Sequence, residues 1–299
     1  MRSYSDAHQE IAREWQEFSA ERGRAARAAT VAAKYEAQAV QRPESMQPFR
    51  RHMAELHRRI EARHLACARL HRLHALRLQR WYIGDRASLR PVFMAAVAQH
   101  LRMDSAAVTL FGRAGEELLV AASDGTARTA HDLELLIGEG PAREVLDGRD
   151  FVAADSTDLA ARWPQYGPAL TEIGVRSVVA VPLRSSRLLG ALCVFTSRAG
   201  LRNEVAPAAT KVADALANTV LLAAHGTDDG SGPMGTLFDD ADYLTAVHQA
   251  VGMVAVQCSC DLDAALALLR ARAFAEGIAV SEIAHWVLED GYQLCCPSR

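Results

Sequence analysis

The last sixty residues concentrate side chains able to read an unpaired nucleobase. Tyr243, His248, His285 and Trp286 offer rings for stacking, while Gln249 and Arg272 offer planar hydrogen-bonding groups. Phosphate contact is harder to supply, because it needs Lys or Arg and only Arg270, Arg272 and Arg299 follow residue 240. Eleven acidic residues oppose three basic ones over residues 226–299, a balance of -8, so affinity for RNA would have to come from loop contacts, dimerisation or the basic N-terminal helices.

Two further patterns bear on chemistry. Cys258-Ser259-Cys260 and Cys295-Cys296 follow the first and third C-terminal helical patterns, at one end of an up-down-up bundle. Four thiols there could hold zinc or form a redox couple, although neither C-x-C nor C-C has the spacing of common zinc knuckles. With Cys67 and Cys193 the cysteines number six, too few and too uneven for a secreted disulfide framework, and free thiols are expected. His57, His64 and His71 recur every seven residues, too far apart along a helix to share one ion, and read as a polar flank. No phosphate-binding glycine loop, H-E-x-x-H or G-x-S-x-G occurs, so no enzyme is expected.

The elements that position these residues fall into three blocks. Charge separates them: residues 1–90 hold 18 basic and 10 acidic residues, and residues 91–225 hold 12 and 15, within a net charge of -3. Residues 5–40, with Ile11, Trp15 and Phe18 at helical spacing, predict one helix, ended before Pro43 and Pro48. Phe49, Met53, Leu56, Ile60, Arg63, Cys67 and Leu70 alternate four and three residues, the seam of a coiled coil or helical hairpin over 1–87. Arg50, Arg51, Arg58, Arg59, Arg63, Arg69, Arg72, Arg77 and Arg80 crowd the same stretch. They read as a solvated face, with a phosphate clamp or a latch for the acidic C-terminus as rivals.

Residues 88–225 change texture. A helix near Leu89–Leu101, strands at Ala106–Phe111 and Glu117–Ala122, a helix opened by Pro141, strands at Val178–Leu183 and Leu189–Phe195, and a helix over Val205–Ala224 predict an α+β sandwich around an antiparallel sheet. Within it, Gly138-Glu139-Gly140-Pro141, Asp155, Trp163-Pro164, Gly174-Val175-Arg176-Ser177, Pro182-Leu183 and Leu189-Gly190-Ala191-Leu192 resemble a GAF domain. That resemblance implies a pocket for an unidentified small molecule, with Glu139, Asp155, Trp163, Tyr166 and Arg176 as lining candidates and no cofactor.

Residues 226–240, rich in Gly, Asp and Ser, read as a linker to a three-helix bundle at 241–299. In the bundle Leu244, Val247, Val251 and Val254 share one face, and Ala265, Leu266, Leu269 and Ala273 share another. Asp261 or Ser259 can cap its second helix, Gly277 ends it, and Ser281 with Glu282 can start the third. Ala250-Val251-Gly252, Ala265 with Leu269-Arg270 and Ala273, and Val280 with Ile283-Ala284 resemble an ANTAR domain. The resemblance implies an RNA-binding module that dimerises on paired stem-loops in leader transcripts and controls transcription antitermination. Its RNA candidates are Tyr243, His248, Gln249, Gly252, Arg270, Arg272, His285 and Trp286.

The expectation is a multidomain α+β regulator: helical hairpin, GAF-like sensor, C-terminal three-helix ANTAR bundle. RNA stem-loops and a second copy are its expected partners. The rival is a non-enzymatic scaffold whose acidic bundle binds a protein. No membrane span or signal segment is read, so a cytoplasmic location is expected.

Overall fold

The structure, a computed structural model, describes residues 4–84, 90–217 and 243–294. The expected linker at 226–240 and the pair Cys295-Cys296 lie outside the described residues.

Helices α1 (Tyr4–Gln38) and α2 (Gln47–Gly84) form an antiparallel hairpin joined through a short 3-10 turn, Glu44–Met46. Small residues, Ala25, Ala28 and Ala32 on α1 and Ala54, Ala68 and Ala75 on α2, let the two axes approach. The expected seam is displaced on α2. Phe49 is half exposed, and His64 and His71 point inward instead of flanking the contact. The reason lies on the other helix: Glu14 and Glu21, both buried and seven residues apart, take His71 Nδ1 at 2.8 Å and His64 Nδ1 at 2.6 Å. Tyr35 continues the row by stacking on His57. The arginines are partly consumed by the hairpin itself, since Arg58 grips Glu36 with two nitrogens and reaches Glu61, and Arg50 donates to the carbonyls of Gln38 and Gln41.

The central block is a five-stranded antiparallel sheet in the order β2-β1-β5-β4-β3, from β1 (Ser105–Phe111), β2 (Glu117–Ala122), β3 (Val152–Asp155), β4 (Ser177–Arg184) and β5 (Leu188–Thr196). Alternate residues serve opposite cores. Val108, Val179, Val181, Leu192 and Val194 face α2, α3 (Phe93–Leu101) and α8 (Val205–Ala215). Ala107, Phe111, Val178, Ala180, Cys193 and Phe195 face α4 (Gly125–Ile137), α5 (Pro141–Leu146), α6 (Leu159–Arg162) and α7 (Tyr166–Glu172). The fold class is therefore the expected α+β arrangement. The sequence pattern had not indicated α4, α6, α7 or β3.

Three further helices, α9 (Tyr243–Cys258), α10 (Leu262–Glu276) and α11 (Val280–Glu289), build the C-terminal bundle. Asp261 caps α10 by accepting from Ala264 N at 2.7 Å, and Gly277 closes it with φ +68°, a backbone that favours glycine. The start of α11 differs from expectation in its cap, which Ala279 occupies without a side-chain bond while Ser281 lies inside the first turn; Glu282 stands in that turn as expected, where its charge favours the helix dipole. The bundle's buried core, Leu244, Val247, Val251, Leu269 and Ile283, is continuous with Val120 of β2 and Leu135 of α4. It leans on the sheet domain at β2 and α4. Among the described residues, no single helix is long and apolar enough to cross a membrane.

The buried ladder generates a test. Replacing His71 by Leu strands the Glu14 carboxylate and should cost about 3 kcal/mol in urea unfolding, whereas Glu14→Leu with His71→Leu should recover most of it. Equal losses in the single and double variants would show that the pair does not organise the hairpin.

Candidate functional site

The densest buried chemistry lies where the sheet domain meets the bundle. Glu117, the first residue of β2, accepts from His131 Nε2 of α4 at 2.7 Å and from Arg143 Nη2 of α5 at 3.1 Å. Asp132 adds a second carboxylate 3.7 Å from His131 Nδ1. One turn along α4, Glu134 is 3 % exposed and accepts from Arg143 N at 2.9 Å. Gly140 makes this approach feasible, because a Cβ there would fall 2.5 Å from the Glu134 carboxyl carbon.

Electrostatics differ among these groups in a readable way. Burial pulls the His131 imidazolium down, but the hydrogen bonds and charges of Asp132 and Glu117 outweigh it and raise its pKa to about 9. Glu117 is buried too, yet His131, Arg143 and Arg270 together hold its pKa below the ordinary value. Glu134 receives one backbone N–H against full burial, and burial raises it to about 7. Burial also pushes up the phenol of Tyr166 and the thiol of Cys193, both of which lie within electrostatic reach of Glu134.

The bundle completes this centre from outside. Half-buried Arg270 of α10 sits beside Gly138, within electrostatic reach of Glu117 and Arg143. His248 Nε2 of α9 donates to the Glu117 carbonyl at 2.5 Å. Two residues expected to meet RNA therefore face the sheet domain.

The other RNA candidates divide between two surfaces. Arg272 lies over the Tyr292 ring at 5.4 Å while pairing with Glu276 at 2.5 Å, and the Trp286 ring meets Tyr292 at 6.0 Å. Exposed His285 pairs with Glu289 one turn on. Gln249 and Gly252 instead line an open apolar groove with Met253, Val256 and Leu288. Tyr243 opens α9, and its side chain lies outside the described residues. Tyr292 was missed by sequence reasoning because it follows the last helix and joins Arg272 and Trp286 only through a return of the chain to Trp286.

The pocket candidates are likewise redistributed. Trp163 and Tyr166 are buried together, ring edge to ring face at 5.8 Å, with Trp163 Nε1 donating to Glu144 at 3.0 Å. Glu139 caps α7 by accepting from Gln165 N and Tyr166 N. The Tyr166 hydroxyl has no partner among the described residues, an unsatisfied polar end inside this layer. Asp155 is turned to other work, bonding Thr157 in the bend after β3, and the Arg176 side chain is exposed at the entry to β4. Neither joins Trp163 and Tyr166, because each sits at a strand end where its backbone is needed by the sheet.

The cysteine expectation needs correction. Cys258 is disulfide-bonded and so cannot serve as a zinc thiolate, while Cys260 is free. Among the described residues no group of three or more His, Cys, Asp or Glu side chains could hold a metal ion.

Comparison with known proteins places the central block. Residues 86–220 match the family model of the GAF domain, so a GAF domain occupies that span. No curated protein matches the chain. Among solved structures, a domain assigned to a two-component sensor histidine kinase protein of Sinorhizobium meliloti 1021 is 21% identical, covering 42% of this chain and 82% of that one, at a TM-score of 0.34.

The buried centre fixes a pH dependence. Glu134 takes up a proton on folding between pH 4.5 and about 7, so its contribution turns unfavourable as pH rises through that window. His131 stabilises fully below 6.5 and loses its contribution as pH rises through about 9. Both push stability down from pH 5 to 9. Glu134→Gln should flatten the lower half and raise stability at pH 8 by on the order of 2 kcal/mol in urea unfolding. Parallel curves for the two proteins would contradict the assignment.

Proposed function

We propose that this chain is a non-enzymatic cytoplasmic regulator in which the GAF domain senses a small molecule and governs RNA binding by the C-terminal bundle. The observation that supports it most is the joint: His248 spends its Nε2 on the Glu117 carbonyl and Arg270 is half-buried within electrostatic reach of Glu117, so freeing both for RNA requires the bundle to move. A ligand in the Trp163–Tyr166 layer would touch α7, and α7 packs on α4, the helix that carries His131, Glu134 and Leu135. Any shift of α4 is felt at the joint. The ligand then acts by favouring the undocked population.

The cluster of Arg272, Tyr292 and Trp286 supports an RNA output, since planar cationic and aromatic surfaces hold splayed loop bases. On this reading the module is an ANTAR domain acting as a homodimer on leader-transcript stem-loops, and the regulated step is antitermination. The bundle's acidic charge makes its loop contacts decisive. A second reading, a protein-binding scaffold, is favoured by the uncharged apolar groove of Met253, Val256 and Leu288.

Leu135→Arg places a charge in the shared core and should release the bundle. In gel-shift titration with paired hexanucleotide-loop hairpins it should bind at least tenfold tighter than the unaltered chain, and Leu135→Arg with Trp286→Ala should lose that gain. Absence of hairpin binding by both the unaltered chain and the Leu135→Arg variant would refute the RNA reading and leave the scaffold.

A further inference from the structure

On the opposite side of the sheet from Trp163 and Tyr166, the end of α3, the end of β5 and the start of α8 enclose a cavity of about 310 Å³. That is the lower end of the range for small-molecule sites. Its floor is apolar: Met103, Leu101 and Val205 are buried, with Ala208 and Leu201 beside them. Its mouth is cationic, carrying Arg102, Arg198 and Arg202, with His100 beside them kept toward its neutral form by burial and by Arg69.

Two carboxylates stand nearby, and the charge of Asp104 lies within electrostatic reach of Arg198. Asp104 accepts from Thr196 Oγ1 at 2.9 Å and from Ser197 N and Oγ at 2.8 Å each. Glu204 pairs with Arg202 at 3.1 Å. Arg198 is fixed in place by donating Nη2 to the Arg102 carbonyl at 2.5 Å and Nε to Thr196 Oγ1 at 3.3 Å. The Arg102 guanidinium makes no hydrogen bond or ion pair among the described residues, so the mouth keeps an unneutralised positive charge over an apolar floor.

Arg102 is also an unexpected residue at its position. It closes α3 in the left-handed conformation, φ +55°, where its N–H meets the carbonyls of Ala98 and Gln99. Glycine adopts that backbone without steric cost, whereas a side chain is disfavoured. The chain places an arginine where helix termination favours glycine, and the side chain it gains stands at the rim of the cavity.

We propose that this cavity binds a small organic anion with an apolar body, a medium-chain or aryl carboxylate, its head group held by Arg102 and Arg198 and its body on Met103, Val205 and Ala208. The site is separate from the Trp163–Tyr166 layer and is independent of what the C-terminal bundle binds. Because α8 and α3 both pack on the sheet and on α2, an occupant would contact the GAF domain and lie one helix from the hairpin.

The test is titration of the full chain with 8-anilinonaphthalene-1-sulfonate, an apolar anion whose fluorescence rises on leaving water, followed by displacement with octanoate. The unaltered protein should bind one equivalent with micromolar affinity, and octanoate should displace it. Arg102→Gly removes the charge and relieves the backbone, so it should weaken binding at least tenfold at an equal or higher Tm. Glu204→Gln frees Arg202 and should tighten binding about threefold. Ala208→Phe should fill the floor and abolish binding. If Arg102→Gly binds as the unaltered chain does, or octanoate leaves the dye in place, the proposal is wrong, whatever Ala208→Phe does to the fold.

Discussion

A sheet whose strands carry apolar residues on both faces cannot be left half covered, and this constraint organises the molecule. Val108, Val194 and Val181 need a cover on one side, and Phe111, Val178 and Phe195 need one on the other. The first cover comes from α3 and α8, with Leu70 of the hairpin reaching the same core. Helices α4 to α7 supply the second. Val120, on the edge strand, remains, and the C-terminal bundle closes over it together with Leu135. Each fully buried side chain of this size stabilises the contact by about 2 kcal/mol, enough for docking yet within reach of a ligand's differential affinity.

On that apolar contact the polar centre imposes orientation. Glu117 stands on β2, His131 on α4, Arg143 on α5 and Arg270 on α10, so four elements must hold register for one carboxylate to be matched. A buried charge with all its partners is tolerable, and one with a partner withdrawn is costly. The joint is therefore suited to two discrete arrangements rather than gradual loosening, the property a sensor needs in its output linkage.

The sequence made the scaffold legible and the joint invisible. Strands β1, β2, β4 and β5 declared themselves as short apolar runs between turn residues, and α10 through Asp261 and Gly277. Helix α4 escaped because its apolar residues serve two cores, Ala127 and Ala130 one and Leu135 another, which blurs a single stripe. The seven-residue histidine spacing was visible, but its inward orientation depended on Glu14 and Glu21 some fifty residues away. Glu117, His131, Arg143 and Arg270 span more than 150 positions and share no motif. Only the fold unites them. Arg270 has the chemistry of a cation for an anion, and the carboxylate within its electrostatic reach here is Glu117 of the GAF domain.

Amide hydrogen exchange across β2 tests the account most directly. As an edge strand, Glu117–Ala122 pairs with β1 on one side only, so slow exchange of its outward-facing amides depends on the bundle lying over it. The account predicts that β2 exchanges slowly in the unaltered chain, and that Val247→Asp accelerates β2 while leaving β4 unchanged. Exchange in β2 that is rapid from the outset, or indifferent to Val247→Asp, would contradict a bundle docked on the GAF domain.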